Sequence, residues 1–132
     1  MIVDDNYLSA EGIEKNIDWE TLNAEIIHVC YNGTSAIEAM KKEPADLIIS
    51  DIEMPDLDGI SMSRQALEIN PMVKIILISA YDKFEYARRA LLLGALDYIE
   101  KPLDYAYLIQ KVKNAFALME KEQKNLQLLK QS

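Results

Sequence analysis

A single α/β domain built on a doubly wound parallel sheet is the fold class this chain predicts. Three observations point to it. Short apolar runs alternate with helix-length patterns five times in 132 residues, the β-α order of that class. Most of the runs lack the in-out alternation of a sheet with one wet face, so they read as strands buried on both faces. Four of the five runs also end on residues that can do chemistry, at the edge where open α/β sheets gather their functional groups.

The elements follow in order. "MIV" runs into Asp4 and Asp5. A helix over about 7–17 carries Leu8, Ile13 and Ile17. "AEIIHVC" (24–30) is rich in β-branched residues and ends at the turn "YNG"; His28 lies inside this strand as a core or edge residue. The second helix, about 35–43, turns Ile37 and Met40 inward, and Ser35 with Glu38 offers a capping box. "ADLIIS" (45–50) ends at Asp51. The third helix, about 60–69, carries Met62, Ala66 and Ile69 and stops before Pro71. "VKIILIS" (73–79) ends at Ser79. The fourth helix, about 84–93, has Phe84, Ala87 and Leu91 in register, Asp82 as N-cap and Gly94 as C-cap. "LDYIE" (96–100) ends at Lys101-Pro102. The fifth helix begins near Asp104 and carries Leu108, Ile109, Val112, Phe116 and Met119. Residues 1–118 form the domain. Residues 119–132 read either as the frayed end of the fifth helix or as a helical connector; Gln123 interrupts the Met119–Leu126 spacing, so a coiled coil is weakly signalled. No internal repeat or low-complexity segment is present.

Composition excludes several function classes. Half the residues are hydrophobic and 27% are charged, as in a folded soluble domain. The net charge of -8 makes the domain a poor nucleic-acid binder, since it would meet a polyanion without a basic patch. Cys30 has no partner for an internal disulfide, which suits a reducing compartment. "MIVDD" shows no signal peptide, and "IILISAY" and "LLLGAL" are too short to span a bilayer. A cytoplasmic protein without membrane contact is expected.

The strand ends place Asp4, Asp5, Asp51, Ser79 and Lys101 on one edge. Three neighbouring carboxylates raise one another's pKa values, and a hard cation relieves the repulsion. An oxygen-only ligand set points to Mg²⁺, with Mn²⁺ as substitute. Mg²⁺ favours phosphate oxygens, so phosphoryl chemistry follows. Lys101 would neutralise phosphoryl oxygens and Ser79 would donate to one. Asp51, at the end of the central run, is the natural nucleophile, giving an aspartyl phosphate. The "DLDG" stretch is not a calcium loop, because the EF-hand spacing is absent and Pro55 breaks its geometry.

Together "IVDDN", "DLIISDIEMPDLDG" and "ILISAYDKFEYARRALLLGALDYIEKP" resemble the receiver domain of two-component response regulators, over residues 1 to about 118. "IDWE" and "YDKFEYA" further resemble receivers fused to AraC-type DNA-binding domains. The resemblance implies a flavodoxin-like (βα)5 sandwich with strand order 2-1-3-4-5. It implies phosphorylation of Asp51 from the phosphohistidine of a sensor histidine kinase. It makes Asp5, Asp51 and the backbone carbonyl of Glu53 the direct metal ligands, with Asp4 acting through a metal-bound water. Ser79 and Tyr98 become the switch pair, Lys101 the phosphoryl contact, and the Lys101–Pro102 peptide cis. The departures are a short first strand, so that Met1 need not be the natural start; Asn6 where a glutamate is common; and Glu53, whose side chain, like that of Tyr81, would modulate how long the phosphoryl group lasts.

Seven of the ten aromatic residues fall after residue 80. Tyr86 lies off the Phe84–Leu91 stripe, and Tyr105 and Tyr107 cannot both share the face of Leu108. Aromatic exposure on helix four, strand five and helix five is therefore expected, as the output face of a phosphorylation-dependent homodimer. Transcription would be regulated by a DNA-binding domain outside these residues. The competing reading is a Mg²⁺-dependent phosphohydrolase with an aspartyl nucleophile. Glu53 stands where such enzymes carry a second aspartate.

Overall fold

Strands and helices alternate without exception in the computed structural model, which describes residues 1–80 and 84–131, with the backbone alone at Phe84. The order is β1 (Ile2–Val3), α1 (Tyr7–Asn16), β2 (Val29–Cys30), α2 (Gly33–Lys42), β3 (Leu47–Asp51), α3 (Gly59–Ile69), β4 (Lys74–Ser79), α4 (Phe84–Leu93), β5 (Asp97–Glu100) and α5 (Tyr105–Gln131). The strands form one sheet in the order β2-β1-β3-β4-β5, parallel throughout. The expected winding is therefore present. Asp82 and Tyr81 fall outside the described residues, as does the side chain of Phe84.

The sheet divides the apolar side chains into two layers. Ile48, Ile75 and Leu77 point to one face, where Ile37 and Met40 of α2, Met62 and Ala66 of α3, and Ala90 of α4 cover them. Leu47, Ile49, Ile76 and Ile78 point to the other, under Ala10 and Ile13 of α1 and Leu108, Val112 and Ala115 of α5. Every residue of β3 is buried. This is why the central runs show no polar alternation.

Strand two is shorter than its apolar run. Only Val29 and Cys30 are in the ladder, although the run begins at residue 24. Its partners in β1 are Ile2, opposite Val29, and Val3, opposite Cys30. On its other side β1 is prolonged through Met1, whose ammonium donates to the Leu47 carbonyl at 2.8 Å and whose carbonyl accepts from the Ile49 amide at 2.9 Å. His28, just before β2, sits half-buried with Nε2 2.9 Å from the Glu43 carbonyl oxygen.

Three helix faces and caps correct the sequence expectation. Leu8 is 76% exposed, and α1 instead buries Ala10 and Ile13. Leu91 is 75% exposed, while Ala90 is buried and Tyr86 and Leu93 pack against the core. The true stripe of α4 is thus 86, 90, 93, rotated from the one expected, and a small alanine marks the close approach to the sheet. The N-cap of α2 is Asn32, whose Oδ1 accepts from the Ser35 amide at 2.7 Å, in place of the Ser35–Glu38 box.

α5 continues past residue 118 as one helix. Glu122 lies in this continuation and pairs with Lys74, at the start of β4, at 2.7 Å. Asp58 caps α3: its Oδ1 accepts from the amides of Ile60 and Ser61 at 2.8 and 2.9 Å. Removing this cap orphans two helix-terminal donors, so Asp58→Ala is expected to cost about 1–2 kcal/mol. Urea unfolding checks this, as a lower midpoint with an unchanged slope.

Candidate functional site

The ladder registers bring the strand ends together. Val3 pairs with Ser50, so Asp4 emerges beside Asp51. Asp51 pairs with Ile78, one residue before Ser79. Ser79 pairs with Glu100, and the Lys101 amide donates to the Ser79 carbonyl at 2.8 Å. Four strands thus deliver the expected residues to one edge. β2 is followed by Tyr31, whose ring lies 5.6 Å from that of Tyr7, and by the cap Asn32.

Asp4 and Asp51 are buried and Asp5 is exposed. Carboxylate oxygens of the three approach within 4.8 Å of one another. Lys101 Nζ lies 3.6 Å from Asp4 Oδ2 and 3.5 Å from Asp51 Oδ2, bridging the two buried acids. Among the described residues one ammonium faces these three carboxylates, so by these groups the cluster is under-neutralised. Burial, and then the charge of Asp4, push the Asp51 carboxyl up from 3.8 to about 6 despite Lys101. Asp4 is also raised, first by burial, and the amide of Asn6 that donates to its Oδ1 at 2.9 Å works the other way. A buried, all-oxygen, under-neutralised cluster open to solvent at Asp5 is the donor set a hard divalent cation requires.

Asn6 has a local task that its sequence position did not disclose. Its side chain caps α1 by accepting from the Ser9 amide, while its backbone holds Asp4. The rest of "DIEMPDLDG" is divided among separate jobs. Met54 is core. Asp56 reaches to the start of α2, where its Oδ2 accepts from Thr34 Oγ1 at 2.6 Å, and that bond holds its carboxyl at about 2. Asp58 caps α3. The Lys101–Pro102 peptide is cis.

One contact was missed by reading the sequence. Ser79, fully buried, donates its hydroxyl to Glu53 Oε1 at 2.8 Å. No spacing rule pairs a loop residue with a strand residue 26 positions on; the signal was only that both lie at the same sheet edge. Tyr98 sits half-buried on β5 and packs against the core. On the outer face of α4 and α5, Leu91, Leu92 and Tyr107 are exposed, so aromatic exposure is present at Tyr107, whereas Tyr86 turns inward. Cys30 is a buried thiol whose pKa is raised by burial. Among the described residues, no helix is long and apolar enough to cross a membrane.

Residues 1–113 match the family described as the response regulator receiver domain. The transcriptional regulatory protein YesN of Bacillus subtilis is 28% identical over 122 residues, which cover 92% of this chain and 33% of YesN. The chain therefore spans about a third of the length of that relative. The receiver domain of AraT, a response regulator from Geobacillus stearothermophilus, superposes with a TM-score of 0.86 at 34% identity, covering 92% of this chain and 95% of that one. The two-component transcriptional regulator AraC from Clostridium phytofermentans superposes with a TM-score of 0.82 at 31% identity, covering 94% and 95%.

Proposed function

The chain belongs to the response regulator receiver domain family, and from that premise we propose that Asp51 accepts a phosphoryl group from the phosphohistidine of a sensor histidine kinase. The observation that carries this is the buried Asp51 carboxylate at the end of β3, with the Lys101 ammonium 3.5 Å away. An Asp51 oxygen attacks phosphorus, an O–P bond forms, and the donor's P–N bond breaks as the imidazole leaves. Lys101 would contact the incoming phosphoryl oxygens, and Ser79 would donate its hydroxyl to one.

Asp5, Asp51 and the Glu53 carbonyl would hold Mg²⁺, or Mn²⁺ in its place, with Asp4 acting through water. The ion supplies positive charge against the carboxylates and phosphoryl oxygens. Such a domain is a signalling protein whose only reactions are its own phosphorylation and dephosphorylation. Rotation of Ser79 toward the phosphoryl group would draw Tyr98 inward and alter the face of α4, β5 and α5. That face would form a phosphorylation-dependent homodimer. Residues 1–118 are the receiver and 119–132 the helical link to an output, transcription regulation by a DNA-binding domain in a longer chain or a partner. The place of action is the cytoplasm, without direct nucleic-acid binding by this domain.

Incubation with acetyl phosphate and Mg²⁺ tests the reading. One phosphoryl group per chain, absent when the ion is chelated, is the expected result. Rapid multiple turnover of phosphate monoesters would instead establish the phosphohydrolase.

A further inference from the structure

The Glu53–Ser79 hydrogen bond has a consequence for the switch. A serine hydroxyl carries a single proton to donate. In the unphosphorylated chain that proton goes to Glu53 Oε1 at 2.8 Å. A phosphoryl oxygen on Asp51 needs the same proton. The two acceptors compete for that proton, and the choice lies with the Ser79 side chain. Its backbone is held by the β4–β5 ladder and by the Lys101 amide at 2.8 Å.

We propose that the Glu53 side chain is a latch: it retains the Ser79 hydroxyl in the unphosphorylated state, and phosphorylation proceeds to the switched state only when this bond is broken. This makes Glu53 a positioning residue acting through Ser79, and it rests on the assignment of Asp51 as phosphoacceptor. Three features suit the role. The bond is charge-assisted, so it is stronger than a neutral pair. Ser79 is fully buried, so a hydroxyl that leaves Glu53 has to find another acceptor inside the site. Glu53 is only partly buried, so its carboxylate can retreat to water once released. The latch is therefore firm for the serine and reversible for the glutamate. Glu53 also follows Asp51 by two residues, so its charge opposes a phosphoryl group there. Latching and charge repulsion act in the same direction and have to be separated.

A double-mutant cycle separates them. Phosphoryl uptake from acetyl phosphate with Mg²⁺ is timed in the wild type, Glu53→Ala, Ser79→Ala and the double variant. Glu53→Ala is expected to speed uptake about fivefold more where Ser79 is present than in the Ser79→Ala background. Equal acceleration in both backgrounds would mean charge repulsion alone and would overturn the latch, as would no acceleration in either. A second readout needs no phosphorylation. In the unphosphorylated protein the ¹⁵N–¹H signals of Ser79 and Tyr98 are expected to shift in Glu53→Ala and to stay near wild type in Glu53→Gln, which keeps an acceptor oxygen without the charge. Unmoved signals in Glu53→Ala, or equal shifts in both variants, would also overturn the latch. If no chain takes up phosphate at all, the phosphoacceptor assignment fails, and these signals still decide whether Glu53 holds Ser79.

Discussion

An Asp51→Asn chain is expected to take up no phosphoryl group from acetyl phosphate and yet to melt higher than the wild type at about pH 7.5. The first effect follows from the proposal that an Asp51 oxygen is the nucleophile. The second follows from the electrostatics of the acidic cluster. Burial and the neighbouring Asp4 raise the Asp51 pKa from 3.8 to about 6. A raised carboxyl pKa means that the fold prefers the protonated form. The corresponding stability is fully present below pH 3.8 and is lost as pH rises through about 6. Two pKa units correspond to about 2–3 kcal/mol, or several degrees in melting temperature for a domain of this size. An amide at position 51 carries no charge to desolvate and escapes that cost. The buried N-terminal ammonium titrates in the opposite sense. Its pKa is lowered from 8.0 to about 6 by burial, so its contribution is lost as pH falls through about 6. It is common to both chains and cancels in their difference. The gap between variant and wild type should widen as pH rises from about 4 through 6, hold above that, and close near pH 4. Added Mg²⁺ should narrow it at neutral pH by stabilising the ionised wild type. Thermal melts of both chains across this range check all three statements.

Gly59→Ala is expected to be the most damaging conservative change in the chain. An added Cβ would overlap the carbonyl oxygen of Asp51 and stand 2.9 Å from Ile52 Cα. Both are backbone, and the Gly59 amide donates to the Ile52 carbonyl at 2.7 Å, so neither side can give way. Relief requires moving the start of α3 away from the end of β3, the strand that carries Asp51. A loss of about 3–4 kcal/mol or more is expected, beyond ordinary overpacking. Gly94 provides the contrast. It has φ +92 but nothing within 4 Å of an added Cβ. Gly94→Ala should cost only the strain of a left-handed alanine, about 1 kcal/mol. Urea unfolding of the two variants measures the difference. In the sequence both glycines look like turn residues; one is required for space and the other for backbone dihedral.

The strand ends were legible because parallel strands buried on both faces leave long apolar runs, and an acid at the end of such a run stands out. Asp4, Asp51, Ser79 and Lys101 were found this way. Helix faces were less legible. In α4 two stripes are nearly equivalent by hydrophobicity, and packing chose the one with Ala90 because small residues let a helix approach the sheet. Leu91 and Leu92 were left outside. The cap of α2 was misplaced because Asn32 and Ser35 are both good caps, and backbone geometry selects between them. The Glu53–Ser79 bond joins the loop after β3 to the end of β4, and nothing local announces it.

The central claim is that Asp51 is the phosphoacceptor. Peptide mapping by mass spectrometry, after acetyl phosphate and Mg²⁺ treatment of the whole chain, tests it most directly. The account predicts a single acid-stable, base-labile phosphoryl adduct on Asp51, which disappears when the ion is chelated. An adduct on any other residue, or its persistence in Asp51→Asn, would contradict it.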